Sequence, residues 1–129
     1  MTIKTILVML AVLLLPVQAM ALGLGKLQTT STLNEPFEAE IPLLSLAVAE
    51  LDTVKVKLAS KEAFARVGVD YPYRLSNLKF ATKLNESGKP VIRVYSSRAI
   101  SEPYLNFLVE VNWPKGQIVR EFAVLLDVR

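Results

Sequence analysis

The chain has no histidine and no cysteine, and that limits what its other polar residues can do. Histidine general bases, thiol nucleophiles, disulfides and the usual zinc ligands drop out together. Carboxylates, one serine–lysine pair and four tyrosines remain. Glu38 and Glu40 lie two residues apart in an alternating segment, so they share one strand face. That arrangement reads as a solvated surface rather than a glycosidase pair. Ser60-Lys61-Glu62 has the makings of a serine–lysine dyad. Neighbouring residues do not face each other on a helix, however, and Ser60 is better placed as an N-cap. Tyr71, Tyr73, Tyr95 and Tyr104 either form an aromatic surface for glycan or peptide or cover the edges of the core. No phosphate loop, GxSxG elbow or HExxH motif occurs. A non-catalytic chain with no cofactor and no metal site is expected.

For binding, two short stretches stand out. Asn34-Glu35-Pro36 and Glu102-Pro103 each set a carboxylate before a proline, which drives the preceding residue away from αR toward an extended backbone. A carboxylate held this way can dock a partner's arginine or backbone amides. Asn34, Glu35, Pro36, Glu102 and Pro103 are therefore the candidate binding residues. The competing reading makes both stretches ordinary turns.

The elements that position these residues are mostly strands. Between Ser101 and Val128, Leu105, Phe107, Val109, Val111 and Trp113 alternate with Tyr104, Asn106, Glu110 and Asn112. Ile118, Phe122, Val124 and Leu126 repeat the pattern, with Arg120 as the polar exception. The break at Pro114-Lys115-Gly116 predicts a long antiparallel hairpin carrying much of the core, with Trp113 plugging its end. Upstream, Leu22 to Gly25 is expected to fray, and Lys26 to Leu33 to form a weak first strand. Phe37, Ala39, Ile41 and Leu43 predict a strand with an acidic outer face, its edge or end marked by Pro42. Val54, Val56 and Leu58 predict another with basic Lys55 and Lys57 outside, and the two charged faces could pair if the strands are neighbours, which the sequence does not show. Ser60 to Val67 is expected to be a short helix, capped by Ser60, striped by Ala63, Phe64 and Val67, and ended by Gly68. Asn77 to Leu84 and Val91 to Tyr95 read as strands, and Ser96 to Glu102 as a connection. The predicted fold is all-β: an immunoglobulin-like antiparallel β-sandwich of about seven strands with one short helix.

The 129 residues suffice for one folded domain. Fifteen basic and twelve acidic side chains give a net charge of +3 without a lysine or arginine cluster, so no nucleic-acid partner is expected. Residues 1–21 have the parts of an export signal. Lys4 precedes the apolar run Ile6 to Leu15, Pro16 breaks it, and Ala19-Met20-Ala21 puts small residues at the two positions a signal peptidase reads. Cleavage after Ala21 leaves a domain of residues 22–129 in the periplasm. The alternative is an uncleaved inner-membrane anchor facing the periplasm, the sole membrane contact expected.

The stretches GLGKLQTTSTLNEPFEAEIPLLSL, LASKEAFARVGVD and SEPYLNFLVEVNWPKGQIVREFAVLLD resemble, in the same order, the N-terminal domain of the FimV family, bacterial proteins of type IV pilus assembly and cell-pole organisation. The likeness runs from about Gly23 to Asp127. It implies a periplasmic protein-interaction module in pilus and cell-envelope assembly, tied to twitching motility, with the pilus secretin as a candidate partner. The other class of function weighed is peptidoglycan or glycan binding. Family members usually continue into a LysM module, a transmembrane helix and a cytoplasmic repeat region. The sequence stops at Val128-Arg129, which reads as either a stand-alone paralogue or a truncated product.

Overall fold

The computed structural model describes residues 22–128; the proposed signal peptide, with Ala19 and Ala21, lies outside the described residues. Two antiparallel sheets pack face to face. The first contains β1 (Gly23–Leu24), β2 (Gln28–Thr29), β3 (Glu35–Leu44), β5 (Lys79–Leu84) and β6 (Pro90–Ile100). Its order is β1-β3-β6-β5, with β2 on the same edge of β3 as β1. The second has the order β4-β7-β8 and comprises β4 (Lys55–Leu58), β7 (Tyr104–Trp113) and β8 (Gly116–Leu125). The sandwich and the one short helix are as expected, with eight strands among the described residues. Phe37, Ala39, Ile41, Ile92 and Val94 of one sheet meet Leu105, Phe107, Val109 and Val111 of the other in a single core. Burying this apolar surface is the main force holding the two sheets together.

The terminal hairpin has the expected faces. Leu105, Phe107, Val109 and Val111 are buried, and so are Phe122, Val124 and Leu126. Leu108 points to the opposite face and is buried as well. Trp113 pairs with Gly116 across a two-residue turn at Pro114-Lys115. Gly116 is not at positive φ; a Cβ there would lie 3.7 Å from the Trp113 ring, so the glycine lies beside the indole instead of making the reversal. Trp113 itself is only partly buried, packed against the rim of the core. Arg120, the polar residue on the inner face, reaches across to donate to the Leu24 carbonyl. Its stem can thus stay on the apolar face while its head finds an acceptor.

Several expectations fail for physical reasons. Leu22 and Leu24 are core residues, not a frayed end. The predicted first strand shrinks to Gln28–Thr29 because the chain changes sheets there. Thr30 N–H donates to Glu38 of the first sheet, and Leu33 N–H to Asp127 just beyond β8. Pro42 is neither at the strand end nor on an outer strand. It pairs with Val91, and its carbonyl accepts from Gly25 N–H at 2.8 Å. Its missing donor falls in the gap between β1 and β2, where no ladder bond is needed. Gly25 suits that close approach, since a Cβ would lie 3.0 Å from the Pro42 ring.

The expected connection at Ser96 continues β6 to Ile100. A bulge lies between Pro36 and Glu38, and the buried Ser96 hydroxyl serves it, accepting from Phe37 N–H at 2.9 Å and donating to the Arg98 carbonyl at 2.6 Å. The helix α1 (Lys61–Val67) is as expected: Ser60 Oγ accepts from Ala63 N–H, and Gly68 sits at φ 74°. Only Phe64 of its stripe is fully buried; Val67 is exposed.

The acidic and basic faces do not meet, because β3 and β4 belong to different sheets. Glu38 instead takes a two-pronged bond from Arg93 at 2.8 and 2.7 Å. Glu40 pairs with Lys83, and Lys57 with Glu110. The Arg93 bonds hold the Glu38 carboxyl below its ordinary value, against a smaller opposing effect of burial. A lowered folded-state pKa stabilises the fold above the unfolded-state value and loses that contribution as pH falls through the folded-state value. Glu38→Gln should therefore unfold more easily than the native chain at neutral pH, with the difference closing in acid. Urea midpoints taken across that range check it; a difference independent of pH would contradict it.

A tyrosine groove at one end of the sandwich

The segment between α1 and β5 carries a turn of 3-10 helix at Tyr73–Leu75. Leu75 is buried and anchors it, while Leu75 N–H donates to Pro72 and Ser76 N–H to Tyr73. A short turn pinned by one core side chain leaves its other side chains facing outward. Tyr73 is 66% exposed. Tyr71 packs edge-on against both Phe64 and Tyr73, with centroids 5.2 and 4.9 Å apart. The Lys61 ammonium lies 4.9 Å from the Tyr73 ring centre and 5.5 Å from that of Tyr71, within range of a cation–π attraction. Across from them Tyr104 opens β7, 58% exposed.

These rings border an open groove of about 410 Å³. Tyr71, Tyr73, Glu102, Tyr104 and Asn106 all line it. Arg74 donates to Glu102 at 3.0 Å. A second groove, lined by Asn77, Arg98 and Ser101, shares Tyr73, Arg74 and Glu102 with the first. The side-chain oxygens of Asn106 and Asn77, one in each groove lining, are buried without a hydrogen-bond partner.

Three of the four tyrosines named from sequence thus gather in one place. Tyr95 does not; it lies on the outer face of the first sheet with the Arg93 guanidinium 3.9 Å from its ring centre. The candidate binding residues divide in the same way. Glu102 lines both grooves, and the Pro103 carbonyl accepts from Leu126 N–H. Asn34 sits at φ 68°, a left-handed conformation that asparagine tolerates, and its N–H donates to Ile100. The Glu35 carboxylate accepts from both the N–H and the hydroxyl of Thr32. Pro36 pairs with Ala99 and is exposed. Glu35 pairs with Ile100, two residues before Glu102, so both stretches lie at the same end of the sandwich. Sequence reasoning missed Arg74, Asn77 and Asn106, because a lone arginine or asparagine in a loop or strand carries no pattern. Among the described residues no group of three or more acidic side chains could hold a metal ion, and no helix is long and apolar enough to cross a membrane.

Residues 22–129 match the family model described as the FimV N-terminal domain, an Ig-like domain. The chain belongs to this family. The immunoglobulin-like sandwich agrees with the fold that the family's description gives. Among curated relatives, the motility hub protein FimV of two Pseudomonas aeruginosa strains is 50% identical over 109 residues. Those matches cover 84% of this chain but 12% of each relative, so the chain spans about an eighth of their length. No solved structure matches.

Proposed function

We propose that this domain is a non-catalytic, periplasmic protein-interaction module of type IV pilus and cell-envelope assembly, and that it takes its partner in the tyrosine groove. The observation that carries this reading is the exposure of the Tyr73 and Tyr104 rings on either side of a groove containing an arginine–glutamate pair. Exposed rings that supply large contact area, beside polar groups that set orientation, are what binding sites use. The name of the Pseudomonas relatives, motility hub protein, supports a role in gathering other proteins. The family match starts at residue 22, directly after the segment read as a cleaved signal peptide, which supports export. Glu102 forms one rim of the site, and Pro103 ties the chain beside it to Leu126; Asn34, Glu35 and Pro36 lie at the same end of the sandwich.

Tyr73→Ser with Tyr104→Ser is the informative variant, because both rings are largely outside the core. Its melting temperature should stay close to native, while capture of envelope proteins and pilus-linked motility in the parent organism fall away. Full motility with the double variant would remove the groove from the account. Co-sedimentation with purified sacculi, lost in the same variant, would move the ligand class to peptidoglycan.

A further inference from the structure

We propose that β8 is a strand-addition edge, occupied by β8 of a second copy of this chain pairing antiparallel about Phe122. The four outer edges of the sandwich are not alike. β1 and β2 are two residues each, and β4 is four. β5 is six residues and carries Lys79 and Lys83, the kind of charge that guards an edge. β8 is ten residues without proline or lysine, and among the described residues only β7 pairs with it.

The hydrogen-bond parity of β8 follows from its register. Trp113 closes the turn opposite Gly116, so the even-numbered residues of β8 turn their backbone groups toward β7. Leu126 N–H, donating to Pro103, fits that parity. The odd-numbered residues from Gln117 to Leu125 then turn N–H and C=O away from β7, toward an edge that no strand pairs with among the described residues and where Leu24 to Leu27 and Arg120 to Ala123 border a shallow hollow. The next in that series, Asp127, is the first to be taken, by Leu33 N–H. The same odd-numbered residues leave apolar side chains uncovered on the outer face, Val119 at 42% and Leu125 at 72% exposure. An unpaired backbone row flanked by exposed apolar side chains is a template for another strand.

Self-pairing has one register that sets Val119 opposite Leu125 of the other copy, and its two-fold axis passes through Phe122. That register also places Glu121 opposite Ala123 and Arg120 opposite Val124, so no like charges meet. Moving the axis to Arg120 or Glu121 would oppose identical charges. The pairing uses the open row from Val119 to Leu125 and stops short of the bond between Leu33 and Asp127. It is an isologous contact, the commonest way for identical chains to associate.

Sedimentation of the purified chain over a range of concentrations tests this. The native chain should dimerise. Val119→Lys places two lysines in the interface by symmetry and should weaken the dimer by about tenfold, taking ~0.7 kcal/mol from each of two cross-strand pairs. Ala123→Pro, which removes an outward N–H, should also weaken it, and matching circular dichroism would show that each variant still folds. With no native cysteine to interfere, Glu121→Cys mixed with Ala123→Cys should crosslink faster than either variant alone. A native chain that stays monomeric at millimolar concentration, a dimer indifferent to Val119→Lys, or equal crosslinking by each cysteine variant alone would overturn the proposal.

Discussion

Phe107→Ala should lower the unfolding free energy by ~3–5 kcal/mol, a large share of the margin of a domain this size. Phe107 is fully buried at the centre of β7, and its ring lies 6.3 Å from that of its cross-strand partner Phe122. Removing it loses the transfer energy of the ring and leaves a cavity between two sheets that cannot easily collapse. Glu110→Ala is the contrasting variant on the opposite face of the same strand. From the sequence it should cost little. The structure raises that expectation: its side chain is 12% exposed, takes Lys57 at 3.3 Å and accepts from Asn112 at 2.9 Å. A loss of about 1 kcal/mol is expected. Urea unfolding of both variants checks the pair, and equal midpoints would mean that the faces of β7 have been assigned the wrong way round.

Leu24→Ala should cost ~2–5 kcal/mol, although the residue lies near the start of the folded domain. Leu24 is buried in the same core as Phe107. Its strand pairs with the last residues of β3, Gly23 with Leu44 and Leu24 with Leu43, and its carbonyl takes the Arg120 guanidinium from the other sheet. The variant thus opens the side of the sandwich where β1 faces β8. A denaturation midpoint indistinguishable from native would mean that this segment contributes nothing to the fold.

How far the sequence could be read depended on how each element announces itself. The β7–β8 hairpin was legible because it is long and strictly alternating. The helix was legible because Ser60 and Gly68 mark its ends chemically. Leu22 to Leu24 was not, since two leucines spaced by one glycine have no period and their partner, the end of β3, lies about twenty residues on. The second half of β6 was hidden by Ser96-Ser97, which look like a loop. Ser96 is instead a buried hydroxyl serving a bulge on the neighbouring strand, a relation between strands that no local pattern carries. The charged faces of β3 and β4 were read correctly as charged, but their partners were not legible, because sequence order does not say which sheet a strand joins. For the groove, the four tyrosines and Glu102 could be picked out, but that Tyr71, Tyr73, Tyr104 and Glu102 converge while Tyr95 stays apart is set by tertiary structure alone.

The claim that this domain binds an envelope protein through the tyrosine groove is tested most directly by a photoreactive amino acid placed at Tyr73 in the parent organism, with the same probe at Lys79 on the β5 edge as control. Irradiation followed by mass spectrometry should yield an adduct between the Tyr73 probe and one envelope protein of the pilus machinery, absent from the Lys79 probe. An adduct at Lys79 with none at Tyr73 would contradict the account and move the binding surface to the sheet edge.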